Sequence, residues 1–152
     1  MNGSLPAYET TVDPDWIDYN GHMSEAFYVL VFGFATDQVM VRLGLDEGYR
    51  SGSGCSLYTV EAHVRYLDEV ALGRRLSITT TVVGAAAKKL HLAHEMHADG
   101  RLVATEELLA LHVSSGAGRA VEFPEHVRSA IEQCRRAGEP VAPGWIGRAV
   151  SL

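Results

Sequence analysis

A long, almost uniformly apolar helical segment constrains the fold of this chain more than any other feature. The pattern predicts one helix over residues 24–43, with apolar side chains nearly all round its circumference. These side chains include Phe27, Leu30, Val31, Phe34 and Val41. A helix of this kind is expected to be enclosed by the rest of the protein rather than half exposed. Ser24 and Gly44 suit its N-cap and C′ positions.

Extended segments supply most of the remaining regular structure. We predict strands at positions 8–12, 56–70, 74–84, 87–98 and 101–114. Asp99-Gly100 between two apolar runs is a strong hairpin signal. A second, amphipathic helix is predicted over residues 124–137. The stretch 46–55 is predicted to be a loop, and residues 138–152 a loose tail.

The first long strand has two chemically different faces. Alternation places a mainly apolar set on one face: Tyr58, Val60, Ala62, Val64 and Tyr66. Glu61, His63 and Arg65 fall on the other face, which we expect to meet solvent or another subunit. A long antiparallel sheet with one helix against its face is an α+β layout. Because the helix is so apolar, the sheet is expected to curl around it.

The bulk properties limit the classes of function. A length of 152 residues indicates one domain, which we place at residues 1–137, ahead of the tail. The net charge of −6 argues against general nucleic-acid binding. We find no signal-peptide pattern, and the apolar run 26–35 is shorter than the about 20 residues that span a bilayer. We therefore expect a cytoplasmic protein with no membrane partner and with free thiols at Cys55 and Cys134.

A polar cluster stands immediately before the apolar helix. Asp18, Asn20, Gly21 and His22 lie within five positions and are followed by Met23. A helix cap needs only one oxygen-bearing side chain. The cluster offers more than a cap, because it combines a carboxylate that can serve as a base, backbone N–H donors and an imidazole.

This arrangement resembles that of the hotdog-fold acyl-CoA thioesterases of the 4-hydroxybenzoyl-CoA thioesterase type. Their motif has an aspartate three residues before a glycine that is often followed by histidine, matched here by Asp18, Gly21 and His22. A tyrosine a turn or two into the helix is matched by Tyr28, and the likeness covers residues 8–126. The resemblance implies a hotdog fold, in which a curved antiparallel sheet wraps around one long buried helix.

A narrower subgroup is still more similar: the thioesterases of carnitine breakdown, which act on betainyl-CoA. The likeness is carried by Asp-Tyr-Asn-Gly-His-Met at 18–23 and by Tyr-Thr-Val-Glu-Ala-His-Val-Arg-Tyr-Leu at 58–67. Asn20 stands where the common motif has a second acidic group, and Met23 stands where it has valine. Both departures leave the choice of substrate open.

The resemblance implies that Asp18 is the catalytic residue. Thioester hydrolysis needs either a base that activates water or a carboxylate that attacks the carbonyl, and an aspartate can do either. The resemblance does not choose between the two routes. The structural alternative is a helix-entry carboxylate that only satisfies backbone N–H groups.

The neighbours of Asp18 have predicted supporting roles. The N–H groups of Gly21, His22 and Met23 lie where helix-entry donors hold a thioester oxygen as it gains charge. The His22 side chain is a candidate to orient Asp18 or the loop, and Asn20 to hold a water or a backbone carbonyl. Plain structural roles in the turn are the alternatives for both.

Aromatic side chains are candidates for binding the acyl group. A trimethylammonium group would be attracted to an aromatic lining by cation–π interaction, and a nearby carboxylate would add to that attraction. The candidate substrate-binding residues are Trp16, Tyr19, Tyr28, Tyr58, Glu61 and Tyr66. Ordinary core packing is the alternative for each aromatic residue taken alone.

Basic pairs are candidates for contact with the phosphates of coenzyme A. Lys88-Lys89, with Arg74-Arg75 nearby in the predicted sheet, could make that contact. A solvated strand edge is the alternative. No cofactor is expected, because coenzyme A is part of the substrate.

Titratable residues on the last two predicted strands have no assigned role. His91, His94 and His97 suggest a metal site, but alternation turns His94 away from the other two, and we predict none. Glu106-Glu107 and His112 are candidates for an interface or a site, and the sequence does not decide between these.

The sequence therefore predicts a thioester hydrolase that converts a small acyl-CoA, with betainyl-CoA as the favoured candidate, to free acid and CoA. The alternatives are a non-catalytic protein that binds or senses acyl-CoA, and an enoyl-thioester hydratase. Since hotdog relatives have their sites at subunit interfaces, the resemblance implies a homodimer or a homotetramer.

Overall fold

One antiparallel sheet lies against one long helix in the computed structural model, which describes residues 3–138 and 142–152. The elements, in chain order, are β1 (Tyr8–Thr11), α1 (Glu25–Arg42), α2 (Glu47–Ser53), β2 (Cys55–Tyr66), β3 (Arg75–Ala85), β4 (Lys89–Ala98), β5 (Arg101–Ser114), β6 (Arg119–Ala120) and α3 (Glu125–Ala137). A short 3-10 turn at Pro14–Trp16 precedes α1. The predicted α+β layout is confirmed.

The sheet has the strand order β1-β3-β4-β5-β2, and the short β6 pairs with β5. All neighbouring pairs run antiparallel. The predicted hairpin at Asp99-Gly100 joins β4 to β5, and both residues have the positive φ (50° and 82°) that a tight two-residue turn of this kind requires. Across this turn Ala98, at the end of β4, pairs with Arg101 at the start of β5.

Helix α1 lies on the sheet with one side buried and the other open. Phe32 and Val31 are fully buried, whereas Val29, Leu30 and Val41 are 44%, 41% and 61% exposed. The expectation that α1 is enclosed all round is therefore wrong for a single chain. The sheet curls around one side of the helix, and the apolar side chains on the opposite side are left uncovered.

The segment predicted as a loop at 46–55 contains the helix α2. Asp46 caps it, because its side chain accepts a hydrogen bond from the Tyr49 N–H at 2.8 Å. Gly54, with φ of +69°, ends it in the left-handed conformation that glycine adopts readily. Two glycines lie inside α2, and because glycine is a poor helix former, the composition of this segment favoured a loop.

A bulge in β2 overturns part of the predicted face assignment. The pairing of β2 with β5 shifts between Thr59 and Glu61, so Val60 is an extra residue that breaks the alternation. Tyr58 consequently lies on the face away from α1, together with Glu61, whereas Tyr66 lies on the face towards α1. The prediction that Tyr58 and Tyr66 share a face is wrong for this reason.

The C-terminal part of the chain contacts the outer face of the sheet. The Trp145 Nε1–H donates to Glu95 Oε1 at 2.9 Å, and the Gly147 N–H donates to Glu107 Oε2 at 2.8 Å. The described part of the predicted loose tail is therefore anchored, and its residues 139–141 lie outside the described residues. Residues 1–2 of the predicted domain also lie outside them.

Within the described ranges, no single helix is long and apolar enough to cross a membrane. Helices α1 and α2 meet that test only when taken together, and they are bent by 73° where they meet.

Candidate active site

The polar cluster before α1 forms a closed loop. Ile17 bridges to Met23, and the Asp18 N–H donates to the His22 carbonyl at 3.0 Å. The Asp18 carboxylate accepts a hydrogen bond from the Asn20 N–H at 2.8 Å through Oδ1. Gly21 has a φ of +81°, a conformation that strains other residues. The loop therefore holds the Asp18 carboxylate near the start of α1, and no described residue donates a hydrogen bond to its Oδ2.

The three predicted oxyanion donors are not equivalent. The Gly21 N–H donates to the Asp18 carbonyl at 3.0 Å, and the Met23 N–H donates to the Val70 carbonyl at 2.8 Å. Among the described residues, none accepts a hydrogen bond from the His22 N–H. The side chain of the N-cap residue Ser24 makes no capping hydrogen bond. The His22 N–H is therefore the donor of the three that is available to a developing oxyanion.

The imidazole of His22 pairs with a carboxylate outside the loop. Its Nε2 lies 2.6 Å from Glu69 Oε2. Both residues line a cavity of about 370 Å³ that Arg74 and Arg101 also line. This contact ties the loop to the segment before β3, so the geometry supports the loop-orienting role predicted for His22.

Two of the predicted aromatic residues meet beside this loop. The rings of Tyr28 and Tyr66 lie edge to face at a centroid distance of 5.2 Å. The Tyr28 hydroxyl donates to the Asp68 carbonyl at 3.1 Å, and the Tyr66 hydroxyl donates to the Glu25 carbonyl at 3.4 Å. Burial raises the pKa of both phenols, and neighbouring carboxylates raise it further. Both hydroxyls therefore remain protonated and able to donate.

The tyrosine pair lines an open cavity of about 530 Å³, which we call the Tyr28 cavity. Its lining residues are Met23, Glu25, Tyr28, Tyr66, Leu67, Asp68 and Glu69. Three of these seven side chains are carboxylates, and no lysine or arginine is among them. Asp68 pairs with Arg101 at 3.2 Å and Glu69 with His22 at 2.6 Å, so Glu25 is the one of the three with no ion pair among the described residues.

The other predicted substrate-binding residues lie elsewhere in the single chain. Trp16 stacks on Phe27 at 6.1 Å, and Tyr19 is 97% exposed. Tyr58 and Glu61 lie on the outer face of the sheet, as the bulge at Val60 dictates. The structure therefore brings together Tyr28 and Tyr66 out of the six predicted residues.

The predicted CoA-binding pair is also distant from the loop within one chain. Lys89 begins β4, whereas the cavity lined by His22 includes Ala98 at the other end of that strand. Nine residues of extended strand correspond to about 30 Å. Lys88 and Lys89 therefore lie at the opposite end of the sheet from Asp18.

Glu106, whose role the sequence left undecided, faces the helix side of the sheet. It is 5% exposed, and burial raises its pKa to about 7. It lines a cavity of about 250 Å³, which we call the Glu106 cavity. The lining residues are Val29, Gly33, Thr36, Asp37, Met40, Leu57, Thr59, Ala62 and Glu106. The alternation of residues along β5 could have predicted the burial of Glu106, since Glu106 shares a face with Leu108 and Ala110.

His91, His112 and Glu107 make hydrogen bonds within the chain, and His91 and Glu107 also line a cavity of about 320 Å³ on the outer face of the sheet, together with Glu61 and His63. His112 joins Tyr49 (Nε2 to Oη, 2.9 Å) to the Val121 carbonyl (Nδ1 to O, 3.0 Å). Burial acts to raise the pKa of Glu107, but hydrogen bonds from Gly147 and His91 outweigh it and hold that pKa below its usual value. In the described part of the chain, no three His, Cys, Asp or Glu residues are placed to hold a metal ion.

Comparison with known sequences identifies one family and several relatives. The model of the thioesterase-like superfamily matches residues 12–131. A betainyl-CoA thioesterase of Pseudomonas aeruginosa is 39% identical over 100% of this chain and 98% of its own length. A fused L-carnitine dehydrogenase/betainyl-CoA thioesterase of Agrobacterium fabrum is 41% identical over 97% of this chain. The matched part is 31% of that longer protein.

Comparison with solved structures finds the same fold. A Staphylococcus aureus protein solved in complex with CoA superposes with a TM-score of 0.94 at 27% identity, over 100% of this chain and 98% of that one. A candidate thioesterase from Pseudomonas putida superposes with a TM-score of 0.81 at 36% identity, over 95% of this chain and 94% of that one. Both matches extend over nearly the whole of both chains.

Proposed function

The chain belongs to the thioesterase-like superfamily, has the hotdog fold and is a thioester hydrolase, and we propose that its substrate is betainyl-CoA. Water adds to the thioester carbonyl, the carbon–sulfur bond breaks, and CoA leaves as a thiol once its sulfur is protonated. The observation that carries the proposal is the 39% identity to a betainyl-CoA thioesterase along the whole chain. Acidic side chains line both the Tyr28 cavity and the Glu106 cavity, which supports the proposal because the betainyl group carries a permanent positive charge.

Asp18 is the proposed catalytic residue, as general base towards water or as nucleophile towards the carbonyl. Its carboxylate stands at the start of α1, where the His22 N–H is available to stabilise the oxygen of the tetrahedral intermediate. Asn20 contributes its N–H to the orientation of Asp18. Gly21 and Met23 hold the loop through their own backbone hydrogen bonds rather than by donating to the substrate.

The Tyr28–Tyr66 pair is one of two candidate positions for the acyl group, and the Glu106 cavity is the other. Aromatic rings attract a quaternary ammonium through their quadrupole, and the attraction is larger where water is excluded. Glu25 adds negative potential at the same cavity, whereas Asp68 and Glu69 are paired with Arg101 and His22. Trp16, Tyr19, Tyr58 and Glu61 stay predictions, and none of them is among the described residues that line the Tyr28 cavity or the Glu106 cavity.

Coenzyme A enters as part of the substrate, and the enzyme is proposed to act in the cytoplasm as a homodimer or homotetramer. If Lys88 and Lys89 contact the phosphates of a substrate held at Asp18, they belong to a different subunit from that aspartate.

Release of free thiol from a panel of acyl-CoA substrates tests the proposal. Betainyl-CoA is compared with acetyl-CoA and with 3,3-dimethylbutanoyl-CoA, in which a carbon atom replaces the nitrogen of the trimethylammonium group. We expect kcat/KM for betainyl-CoA to exceed both. Equal or faster hydrolysis of the neutral isostere contradicts betainyl-CoA as the substrate, and the fate of an enoyl-CoA in the same panel separates hydrolysis from hydration.

A further inference from the structure

Glu106 is a buried carboxyl group without a local partner. It is 5% exposed, and no described residue donates a hydrogen bond to it. Its neighbours on the helix side include apolar side chains and small ones, such as Val29, Gly33 and Ala62. Removing a carboxylate from water without a partner is costly, so such groups are normally paired or hydrogen-bonded. The cavity beside Glu106 is the place where a partner can be accommodated.

The nearest titratable residue across the sheet does not supply the missing positive charge. His94 is the cross-strand partner of Glu106, but its ring nitrogens contact Thr80 Oγ1 at 2.8 Å and Thr36 Oγ1 at 2.9 Å. The Thr36 hydroxyl donates to the Phe32 carbonyl at 3.0 Å, so it accepts from a protonated Nε2. The other nitrogen, Nδ1, can then accept from the Thr80 hydroxyl, an arrangement that leaves the imidazole neutral. Burial, which lowers the pKa of His94 to about 4, favours the same state.

The remaining groups around Glu106 add no positive charge. Asp37 of α1 faces the same cavity and is itself acidic. Tyr66 of β2 is a diagonal neighbour, because Glu106 pairs with Val64 two residues earlier. No lysine or arginine is among the described residues that line the Glu106 cavity or the Tyr28 cavity. The site therefore has acidic side chains on two elements, Asp37 on α1 and Glu106 on β5, and no basic residue among its described lining residues.

We infer that Glu106 is the counter-charge that selects a cationic acyl group, and that the quaternary ammonium head binds in the Glu106 cavity rather than in the Tyr28 cavity. This inference rests on the proposed function and assigns a place to the charged end of the proposed substrate. A quaternary ammonium has no N–H groups, so its attraction to a carboxylate needs no directed hydrogen bond. Its methyl groups suit the small walls formed by Gly33 and Ala62. The cavity volume, about 250 Å³, is sufficient for a head of five heavy atoms.

A different role for Glu106 has a distinct signature. A buried carboxyl group in a cavity also fits a general base. Loss of a base lowers kcat for every substrate, because the proton transfer is common to all of them. Loss of a counter-charge raises KM for the cationic substrate alone, because the carboxylate attracts the ammonium group of the substrate equally in the ground state and in the transition state. A pair of isosteric substrates therefore separates the two roles.

The test compares Glu106→Gln with wild type on betainyl-CoA and on 3,3-dimethylbutanoyl-CoA. Glutamine preserves the shape of the side chain and removes its charge. We expect the preference for betainyl-CoA, as a ratio of kcat/KM values, to fall on the order of 10- to 100-fold, mainly through KM. Activity on the neutral isostere is expected to be unchanged or higher. Glu107→Gln, the same change at the next residue and on the outer face, is the matched control and is expected to leave the ratio unchanged.

Each other outcome overturns the inference in a recognisable way. A wild-type enzyme that prefers betainyl-CoA, with a Glu106→Gln variant that keeps the preference, overturns the role of Glu106 and leaves the proposed function standing. A wild-type enzyme with no preference overturns both. Equal loss of kcat on both substrates assigns Glu106 to catalysis or folding, and thermal unfolding of the variant distinguishes these two. An equal change of the ratio in Glu107→Gln assigns the effect to net charge.

Discussion

Glu106 and His94 are cross-strand neighbours on the face of the sheet that packs against α1, yet the two do not neutralise each other. The imidazole is held between Thr36 and Thr80 and stays neutral, and the carboxyl group faces a cavity. His94 has hydrogen-bond partners for both ring nitrogens, whereas a buried carboxyl group without a partner destabilises the fold. The arrangement can be probed through stability as well as through activity.

The stability of the protein is expected to fall as the pH rises through the titration of Glu106. Its pKa is about 7 in the folded protein and near 4.5 when the chain is unfolded. Between these values the folded state binds more protons, so the free energy of unfolding decreases with rising pH. Glu106→Gln is expected to be more stable than wild type at pH 8 by up to about 3 kcal/mol, and the difference should shrink towards pH 4.

Urea unfolding of both proteins across this range measures the effect. The other groups that face Glu106, namely Asp37, Tyr66 and His94, are present in both proteins, so their own titrations largely cancel in the difference. A pH-independent difference, or a variant that is less stable at pH 8, would show that the carboxyl group has a partner in solution.

Removal of the Thr36 hydroxyl is expected to destabilise the protein without a change in its charge. Thr36→Val leaves the Nε2–H of the buried His94 without an acceptor, at a cost of about 1–3 kcal/mol. Thr79→Val, an exposed threonine on β3, is the control and is expected to change stability by less than about 0.5 kcal/mol. Chemical denaturation at one pH checks both values. Equal effects from the two variants would mean that the hydrogen bond contributes nothing specific.

Asp18→Asn is expected to lower kcat/KM for betainyl-CoA by about 10²- to 10⁴-fold, the range associated with loss of a general base. Asparagine keeps an oxygen that can accept the Asn20 N–H, so the loop is expected to retain its shape. Thiol release measures turnover, and calorimetric titration with CoA measures whether binding survives. Turnover at the wild-type rate would remove Asp18 from the mechanism.

Charge reversal at Lys88 and Lys89 is expected to raise KM several-fold for every acyl-CoA and to leave kcat nearly unchanged, because phosphate contacts bind the ground state and the transition state alike. The double variant Arg135→Glu/Arg136→Glu on α3 changes the net charge by the same amount and is the control. KM values that do not respond to reversal at the lysines would assign Lys88-Lys89 to a solvated strand edge. The salt dependence of KM provides a second check.

Local signals in the sequence were sufficient for much of the fold. Asp99-Gly100 predicted the β4–β5 hairpin, because a tight turn depends on the conformational freedom of its own two residues. Gly44 suited the end of α1 and has a φ of +86° there. The short helix α2 was missed, since its glycines at 48 and 52 are poor helix formers and its stability depends on the capping by Asp46 and Gly54.

Face assignment failed where the pairing is irregular. Alternation predicts faces only while each residue opposes one partner, and the extra residue Val60 moves Tyr58 to the opposite face from Tyr66. A bulge depends on how two strands pair, so the sequence of β2 alone does not predict it. Of the predicted aromatic lining, only Tyr28 and Tyr66 meet among the described residues. Tyr58 is on the opposite face of the sheet, Tyr19 is exposed, and Trp16 packs on Phe27.

The sequence by itself determined the order of the elements, the apolar character of α1 and the motif at Asp18, because each depends on residues that are close along the chain. Only the tertiary structure decided which backbone donors near Asp18 are already used, and that Glu106 is buried beside a cavity while Glu107 is hydrogen-bonded on the outer face. Adjacent residues of a strand point to opposite faces, so these two glutamates acquire different chemistry only when one face packs against α1. The charge that the substrate meets is therefore set by packing between distant segments.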